Sequence, residues 1–199
     1  MSTTVHFLGT GDAFGSGGRL QTCSLVVSSG ASVLVDCGAT VLSSIRRGGF
    51  DPNAIDAVLL THLHGDHFGG LPFLLMDAHY ASGRRRPLAI AGPPGVELRT
   101  RDLHDALFPG TSRLPVSFAL EFAEFEPGRP IEAAGWSVTP YLVEHSSQTA
   151  CFGLRLERDG CVLAFSGDTA WTERLVDLAR GADLFVCECY GFEGAPPGH

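Results

Sequence analysis

The chain has 199 residues, of which 44% are apolar and 18% charged, and its formal net charge is −8. That composition supports one packed domain, or two small ones at most, and excludes wholesale disorder. The acidic balance argues against a general affinity for nucleic-acid backbones, which are gripped by Lys and Arg, and no apolar run reaches the length needed to span a bilayer.

Met1-Ser2-Thr3-Thr4 runs straight into a strand-like Val5-His6-Phe7-Leu8, with no charged leader or cleavage site. Gly9-Thr10-Gly11-Asp12 follows as a glycine-rich turn. A GxG fragment with no P-loop lysine after it is a weak phosphate-loop signal, so the turn reads as a loop at the rim of a site. Residues 22–28 and 32–36 alternate on either side of a Ser-Ser-Gly turn, which is a hairpin pattern. A helix is expected over 39–47, up to Gly48-Gly49. Asp36 either caps the turn after its strand or accepts a hydrogen bond from a metal-bound imidazole.

An apolar strand over 55–60 leads into Thr61-His62-Leu63-His64-Gly65-Asp66-His67-Phe68-Gly69-Gly70. The chain holds 8 His, and three of them fall in this decapeptide. Neutral imidazole nitrogen and carboxylate oxygen are the ligands a borderline cation such as zinc prefers, and a cluster of this kind is costly without a metal. In extended chain His62 and His64 project the same way. Gly65 then lets the backbone turn, so that Asp66 and His67 arrive from a second side. Two divergent pairs suit two adjacent ions better than one.

After the cluster, 71–80 reads as a helix ended by Ala81-Ser82-Gly83. Arg84-Arg85-Arg86 is the only candidate basic run, and a solvated loop is its more ordinary reading. Residues 87–91 form a strand closed by Gly92-Pro93-Pro94-Gly95, and 96–108 has helical periodicity with Leu98, Leu103 and Leu107 apolar. His79 and His104 lie on these helices without ligand-type neighbours and read as ordinary surface or core histidines. Residues 114–125 and 130–143 are expected strands, and His145 falls just past the end of the second. A hairpin of 151–157 and 161–165 ends in Ser166-Gly167-Asp168-Thr169. A helix over 170–180 and a strand over 182–187 follow, then Glu188-Cys189-Tyr190 and a tail rich in glycine and proline. Ligand-type residues thus recur at strand ends, where α/β architectures place their sites. The six cysteines form no CxxC pair and sit mostly in strand-like runs, as buried thiols of a reducing cytoplasm do.

His62-Leu63-His64-Gly65-Asp66-His67 resembles the H-x-H-x-D-H signature of the metallo-β-lactamase superfamily at every specified position. Phe7-Leu8-Gly9-Thr10-Gly11, Val35-Asp36-Cys37-Gly38, Gly70-Leu71-Pro72 and Ser166-Gly167-Asp168-Thr169 are similar to its ribonuclease Z branch and phosphodiesterase-like relatives. The resemblance covers nearly the whole chain. It implies an α/β (α+β) fold, a four-layer αββα sandwich forming a single domain over 1–199, with a metal site at one edge between the sheets. By that resemblance His62, His64 and His145 would bind a first Zn2+, Asp66 and His67 a second, and Asp168 would bridge them. One or two zinc ions are implied, with Mn2+ or Fe admissible. A hydroxide shared by two metals, with its pKa lowered toward neutrality, would attack phosphorus or a carbonyl. Asp66, Glu188 and His199 are the implied catalytic residues, the last two as a glutamate–histidine pair that assists the leaving group.

Two departures from the family pattern matter. Its second metal takes a further histidine from late in the chain, and after Asp168 this chain offers only His199, so the last C-terminal elements are expected to be missing. The tRNA-processing members carry a long basic arm, and no Lys/Gly-rich insertion occurs between Gly92 and His145. The expected function is therefore a metal-dependent hydrolase, above all a phosphodiesterase of a small-molecule substrate. A tRNA 3′ processing endonuclease, a carboxyl-ester or lactone hydrolase and a non-catalytic metal-binding module are the alternatives. Nucleic acid is a disfavoured partner, a homodimer an admissible one, and no membrane is expected.

Overall fold

Alternation along short apolar strands decides which way each layer faces. In β2 (Cys23–Ser28), β3 (Ala31–Val35) and β4 (Ala57–Leu59), Val26, Val33, Val35, Ala57 and Leu59 point to one side, and Leu25, Leu34 and Val58 to the other. Successive side chains of a strand take opposite faces, so a sheet built of such strands is apolar on both. The computed structural model describes residues 2–111, 116–145, 148–190 and 199.

β1 (Thr3–Gly9), β2, β3, β4, β5 (Leu88–Gly92) and β6 (Leu120–Glu124) form one sheet in that order, antiparallel from β1 to β3 and parallel from β3 to β6. The second sheet runs β11 (Leu184–Val186), β10 (Cys161–Phe165), β9 (Cys151–Arg158), β8 (Trp136–Val143) and β7 (Ile131–Ala133), with only β10 and β11 parallel. Trp136, Val138, Phe152, Leu154, Leu156, Leu163 and Phe165 meet Val26, Val35 and Leu59 between the sheets.

α1 (Val41–Arg47), α3 (Leu71–Met76) and α4 (Val96–Leu107) cover the outer face of the first sheet through Val41, Ile45, Leu71, Leu74 and Val96. α5 (Arg174–Ala179) covers the second through Leu175 and Leu178, packed on Val143, Cys151 and Ala164. The result is the αββα sandwich that the motifs imply. No helix among the described residues is long and apolar enough to cross a membrane.

Several elements differ from their sequence reading, each for a local reason. The helix expected over 71–80 is α-helical only to Met76 and continues as a π-helical turn, Asp77–Ala81. There the buried Asp77 accepts from the Ser82 hydroxyl at 2.6 Å and pairs with Arg46. The strand expected over 130–143 is a hairpin, because Ala134 and Gly135 both take positive φ, 49° and 78°, as a primed turn requires. The helix expected over 170–180 starts only at Arg174, since the Ala170 N–H is tied to the Glu144 carbonyl at 2.6 Å. Residues 114 and 115 of the expected 114–125 strand lie outside the described residues; the remainder is paired only over β6.

Arg84-Arg85-Arg86 is neither a basic patch nor a wholly solvated loop. Arg84 is 1% exposed. Its guanidinium donates to four backbone carbonyls, those of Asn53, Ile55, Arg86 and Pro87, at 2.5–3.1 Å, and Arg86 pairs with Asp56. The thiols divide as well: Cys23, Cys37 and Cys151 are buried, whereas Cys187 and Cys189 are exposed. Burial pushes the Cys23 and Cys37 thiols above their ordinary pKa. In folded protein a thiol reagent should modify Cys187 and Cys189 within minutes and reach Cys23 and Cys37 only after denaturant, as peptide mapping would report.

Trp136 is fully buried between the sheets, while Trp171 is 71% exposed. Replacing Trp136 with alanine should cost about 3–5 kcal/mol of stability in chemical denaturation. The same change at Trp171 should stay within about 0.5 kcal/mol.

Candidate metal centre

Past β4 the chain remains extended through His64 (φ −78°, ψ 151°), and α2 (Gly65–Phe68) begins immediately after. His62 and His64 therefore lie two apart in extended backbone, and His62 Nε2 is 3.1 Å from His64 Nδ1. The change of direction comes from this helical turn, which carries Asp66 and His67 to the second side. A Cβ at Gly65 would meet nothing within 4 Å. The glycines that geometry demands are Gly38 and Gly70 instead: a Cβ on Gly70 would lie 2.3 Å from the Gly38 carbonyl oxygen, and one on Gly38 2.4 Å from that of Asp66. Their absent side chains let the loop after β3 press against the loop after β4.

That contact brings Asp36 to His67. Asp36 follows β3 with φ of 62°, a left-handed conformation that Asp tolerates better than most residues. One carboxylate oxygen accepts from the Thr61 backbone N–H at 2.9 Å and the other lies 2.9 Å from His67 Nδ1. The Thr61 hydroxyl is 3.0 Å from both oxygens and 3.1 Å from His62 Nδ1. Asp36 thus both holds a turn and orients an imidazole, so the two sequence readings of it coincide. With Nδ1 engaged, His67 turns Nε2 toward Asp168 Oδ1 at 3.3 Å and Asp66 Oδ2 at 3.6 Å.

The second sheet supplies the rest. His145 lies past β8, with Nε2 3.1 Å from His64 Nδ1. Asp168 lies past β10, 4.0 Å from His62 Nε2 through Oδ2. Glu188 lies past β11, where its backbone N–H donates to the Ser166 hydroxyl at 2.9 Å and its carboxylate accepts from the Thr169 N–H. The other Glu188 oxygen meets His199 Nδ1 at 2.9 Å, and the His199 ring packs edgewise on His145 at 4.8 Å.

Three groups of donors converge within 4.8 Å: His62, His64 and His145; His62, His67 and Asp168; and His145, Asp168 and His199. Asp66 touches His67 but belongs to none of these groups among the described residues. The donor set fits a divalent metal ion. Nitrogen ligands at about 2.0–2.1 Å from a tetrahedral ion sit about 3.3 Å apart, close to the 3.1 Å that separates His64 Nδ1 from His62 Nε2 and from His145 Nε2.

For His62 and His64 the electrostatics point the same way. Burial, and then the neighbouring His67, push the His62 pKa down to about 2, and burial lowers that of His64. Both therefore stay in the neutral form that ligates. Burial opposes a proton on His67, but the Asp36 carboxylate beside it and the contact to Asp168 outweigh that and push its pKa well up. Burial also raises Asp168, yet its bond to His67 prevails and holds it below the ordinary carboxylate range.

His64, His67, His145 and Asp168 line a cavity of about 1650 Å³, counted out to its open mouth, with Gly9, Gly11, Asp12, Phe14, Arg19 and Tyr190 at its rim, while His62 is fully buried. The Gly9-to-Asp12 turn is a rim loop, as its composition suggests. Sequence reasoning missed three contributors: the bridging hydroxyl of Thr61, the 86% exposed ring of Phe14, and Arg19. For Thr61 the available signal was its place directly before the H-x-H pair; for the other two there was none. Replacing Asp36 with asparagine should weaken divalent-metal affinity on the order of 10–100-fold in equilibrium dialysis, while circular dichroism still reports the folded sandwich.

A family model described as Anti-Pycsar protein Apyc1 matches residues 3–194. The chain is 31% identical over 191 residues to the ribonuclease Z of Mycobacterium bovis (strain BCG / Pasteur 1173P2), covering 92% of this chain and 68% of that protein. Among solved structures it is similar to the metallo-β-lactamase fold protein YhfI from Bacillus subtilis, with a TM-score of 0.78 and 24% identity over 100% of this chain and 78% of that one. Human tRNase Z, short form, superposes with a TM-score of 0.71 and 25% identity over 92% of this chain and 76% of that one.

Proposed function

Because the chain belongs to the Anti-Pycsar protein Apyc1 family, within the ribonuclease Z-like and phosphodiesterase branch of the metallo-β-lactamase superfamily, we propose that it is a metal-dependent phosphodiesterase acting on a small substrate. The hydrolase class follows from the family; the phosphodiester and the small substrate are the proposal. One observation carries it: His64, His67, His145 and Asp168 meet in a single open cavity from two different sheets, with the buried His62 within ligand distance of all four. In this reading His62, His64 and His145 hold one zinc ion, and Asp66, His67 and Asp168 hold a second. Bound there, zinc supplies a Lewis acid and lowers the pKa of water toward neutrality.

The chain's own groups do the rest. Asp66 and Asp168 put two carboxylates in the cavity, so an anionic substrate is repelled unless a cation is held there. Arg19 on the rim gives the approaching phosphate its counter-charge. Asp36 keeps the proton of His67 on Nδ1, leaving Nε2 for the metal. Glu188 holds His199 through Nδ1, which places the imidazole beside His145 and Asp168 to deliver a proton to the leaving oxygen. We place the enzyme in the cytoplasm, where exposed Cys187 and Cys189 stay reduced.

A second reading, cleavage of tRNA 3′ ends, is favoured by the 31% identity to a ribonuclease Z. Against it stand the net charge of −8 and the burial of Arg84, which removes the only basic run. Zinc- or manganese-loaded protein should hydrolyse bis(p-nitrophenyl) phosphate, lose the activity to a chelator and recover it when the metal is returned. Asp66→Ala should lower turnover on the order of 100-fold or more. Absence of turnover in fully metal-loaded protein would remove the reading, and efficient cleavage of a precursor tRNA would put the second in its place.

A further inference from the structure

One hydrogen bond cannot hold an imidazole in a single orientation, yet His199 is closely held. Its side chain is only 19% exposed although it lines the open metal cavity. Glu188 takes Nδ1 at 2.9 Å, which fixes one point of the ring and leaves its plane free to swing about that bond. Two further rings close off the swing. His145 meets His199 at 4.8 Å between centroids and 76° between planes, and Tyr190 meets it at 5.0 Å and 40°. Both separations lie in the range at which aromatic pairs attract.

Tyr190 reaches His199 from the same segment as Glu188. The two residues are two apart past β11, the spacing that turns side chains to one side of an extended chain. That segment is anchored at Glu188, whose backbone N–H donates to the Ser166 hydroxyl at 2.9 Å and whose carboxylate accepts from the Thr169 N–H. Tyr190 therefore stands two residues from a fixed point, with its ring 54% exposed at the cavity rim. With Nδ1 engaged by Glu188, Nε2 is the nitrogen left to serve the leaving oxygen. A donor must come within about 2.6–3.2 Å of the atom it protonates, and a swing of the ring about the Glu188 contact carries Nε2 out of that reach.

We propose that Tyr190 is a positioning residue for His199: its ring backs the imidazole so that Nε2 points to where the leaving oxygen departs. The inference rests on the phosphodiesterase reading above, in which His199 delivers that proton. Tyr190 acts through its ring, and its hydroxyl takes no part.

The experiment compares bis(p-nitrophenyl) phosphate with diphenyl phosphate as substrates of the zinc-loaded full chain. p-Nitrophenolate departs without a proton, whereas phenolate leaves far better with one, so the ratio of the two kcat values reports the proton donor. Tyr190→Ala should raise that ratio about tenfold, a part of the roughly 10²–10⁴-fold that general acid catalysis supplies, and should change KM less than kcat. Tyr190→Phe, which keeps the ring, should restore the wild-type ratio. Tyr190→Leu, apolar but not planar, carries the same expectation as the alanine variant should that one not fold. Equal losses on both substrates, or a ratio in Tyr190→Phe as high as in Tyr190→Ala, would overturn the proposal. So would a wild type that cleaves the nitrophenyl ester and leaves diphenyl phosphate intact. A second readout is independent of turnover. In nitrogen-15 NMR of histidine-labelled protein, the His199 Nδ1–H, assigned by its loss in His199→Gln, should exchange slowly in wild type and Tyr190→Phe and faster in Tyr190→Ala. Equal exchange in all three would overturn the proposal, whereas absence of any turnover beside the expected exchange pattern would remove only the phosphodiesterase reading.

Discussion

The Asp36 carboxylate is the constraint on which the rest of the site depends. It binds the Thr61 backbone and hydroxyl and the His67 ring at once, at 2.9–3.0 Å. In doing so it pins the loop after β3 to the loop after β4, the segment that carries His62, His64, Asp66 and His67. A buried carboxylate with only one of these partners would be costly; with all of them its lone pairs are satisfied. The left-handed backbone at Asp36 and the missing side chains at Gly38 and Gly70 are the local conditions for that meeting. Because a carboxylate can only accept, the proton between Asp36 and His67 sits on Nδ1, which leaves Nε2 to face Asp66 and Asp168.

The second dependence is on packing. His62, His64 and His67 come from the first sheet, while His145, Asp168, Glu188 and the Ser166 hydroxyl come from the second. A backbone hydrogen bond ties the two sets together beside the site, from the Phe152 N–H of β9 to the Thr61 carbonyl at 2.9 Å. Their spacing is fixed by the apolar layer between the sheets, where Trp136, Phe152, Leu154 and Phe165 meet Val35 and Leu59. Close-packed layers of this kind deform little, so the 3.1 Å separation of His64 and His145 is a property of the core as much as of the ligands. This explains why the donors are gathered at strand ends: that is where rigid elements from two sheets stop next to each other.

Much of this was legible in the chain. Alternation in 22–28 and 32–36 and the apolar run into Thr61 gave the first sheet, and the H-x-H-x-D-H spacing gave the half of the site built from one loop. His145 and Asp168 could be placed at strand ends by pattern, but their approach to His62 is a long-range fact that no local spacing encodes. Where the reading erred, tertiary contacts had overridden local preference. The bond from Ala170 to Glu144 delays α5, and the buried guanidinium of Arg84 serves four carbonyls in a segment that composition alone describes as a charged loop. His79 and His104, read as ordinary histidines, each turn out to carry a buried ring nitrogen without a hydrogen-bond partner among the described residues, because helical periodicity shows which face a residue takes and not whether its polar atoms find partners.

The central claim is that two sheets build one metal centre. It is tested most directly by anomalous diffraction at the zinc edge from crystals of zinc-loaded protein. The account predicts the strongest peak among His62 Nε2, His64 Nδ1 and His145 Nε2, with any second peak beside Asp66, His67 and Asp168. Zinc peaks only elsewhere on the molecule, or none in the cavity at saturating zinc, would contradict it.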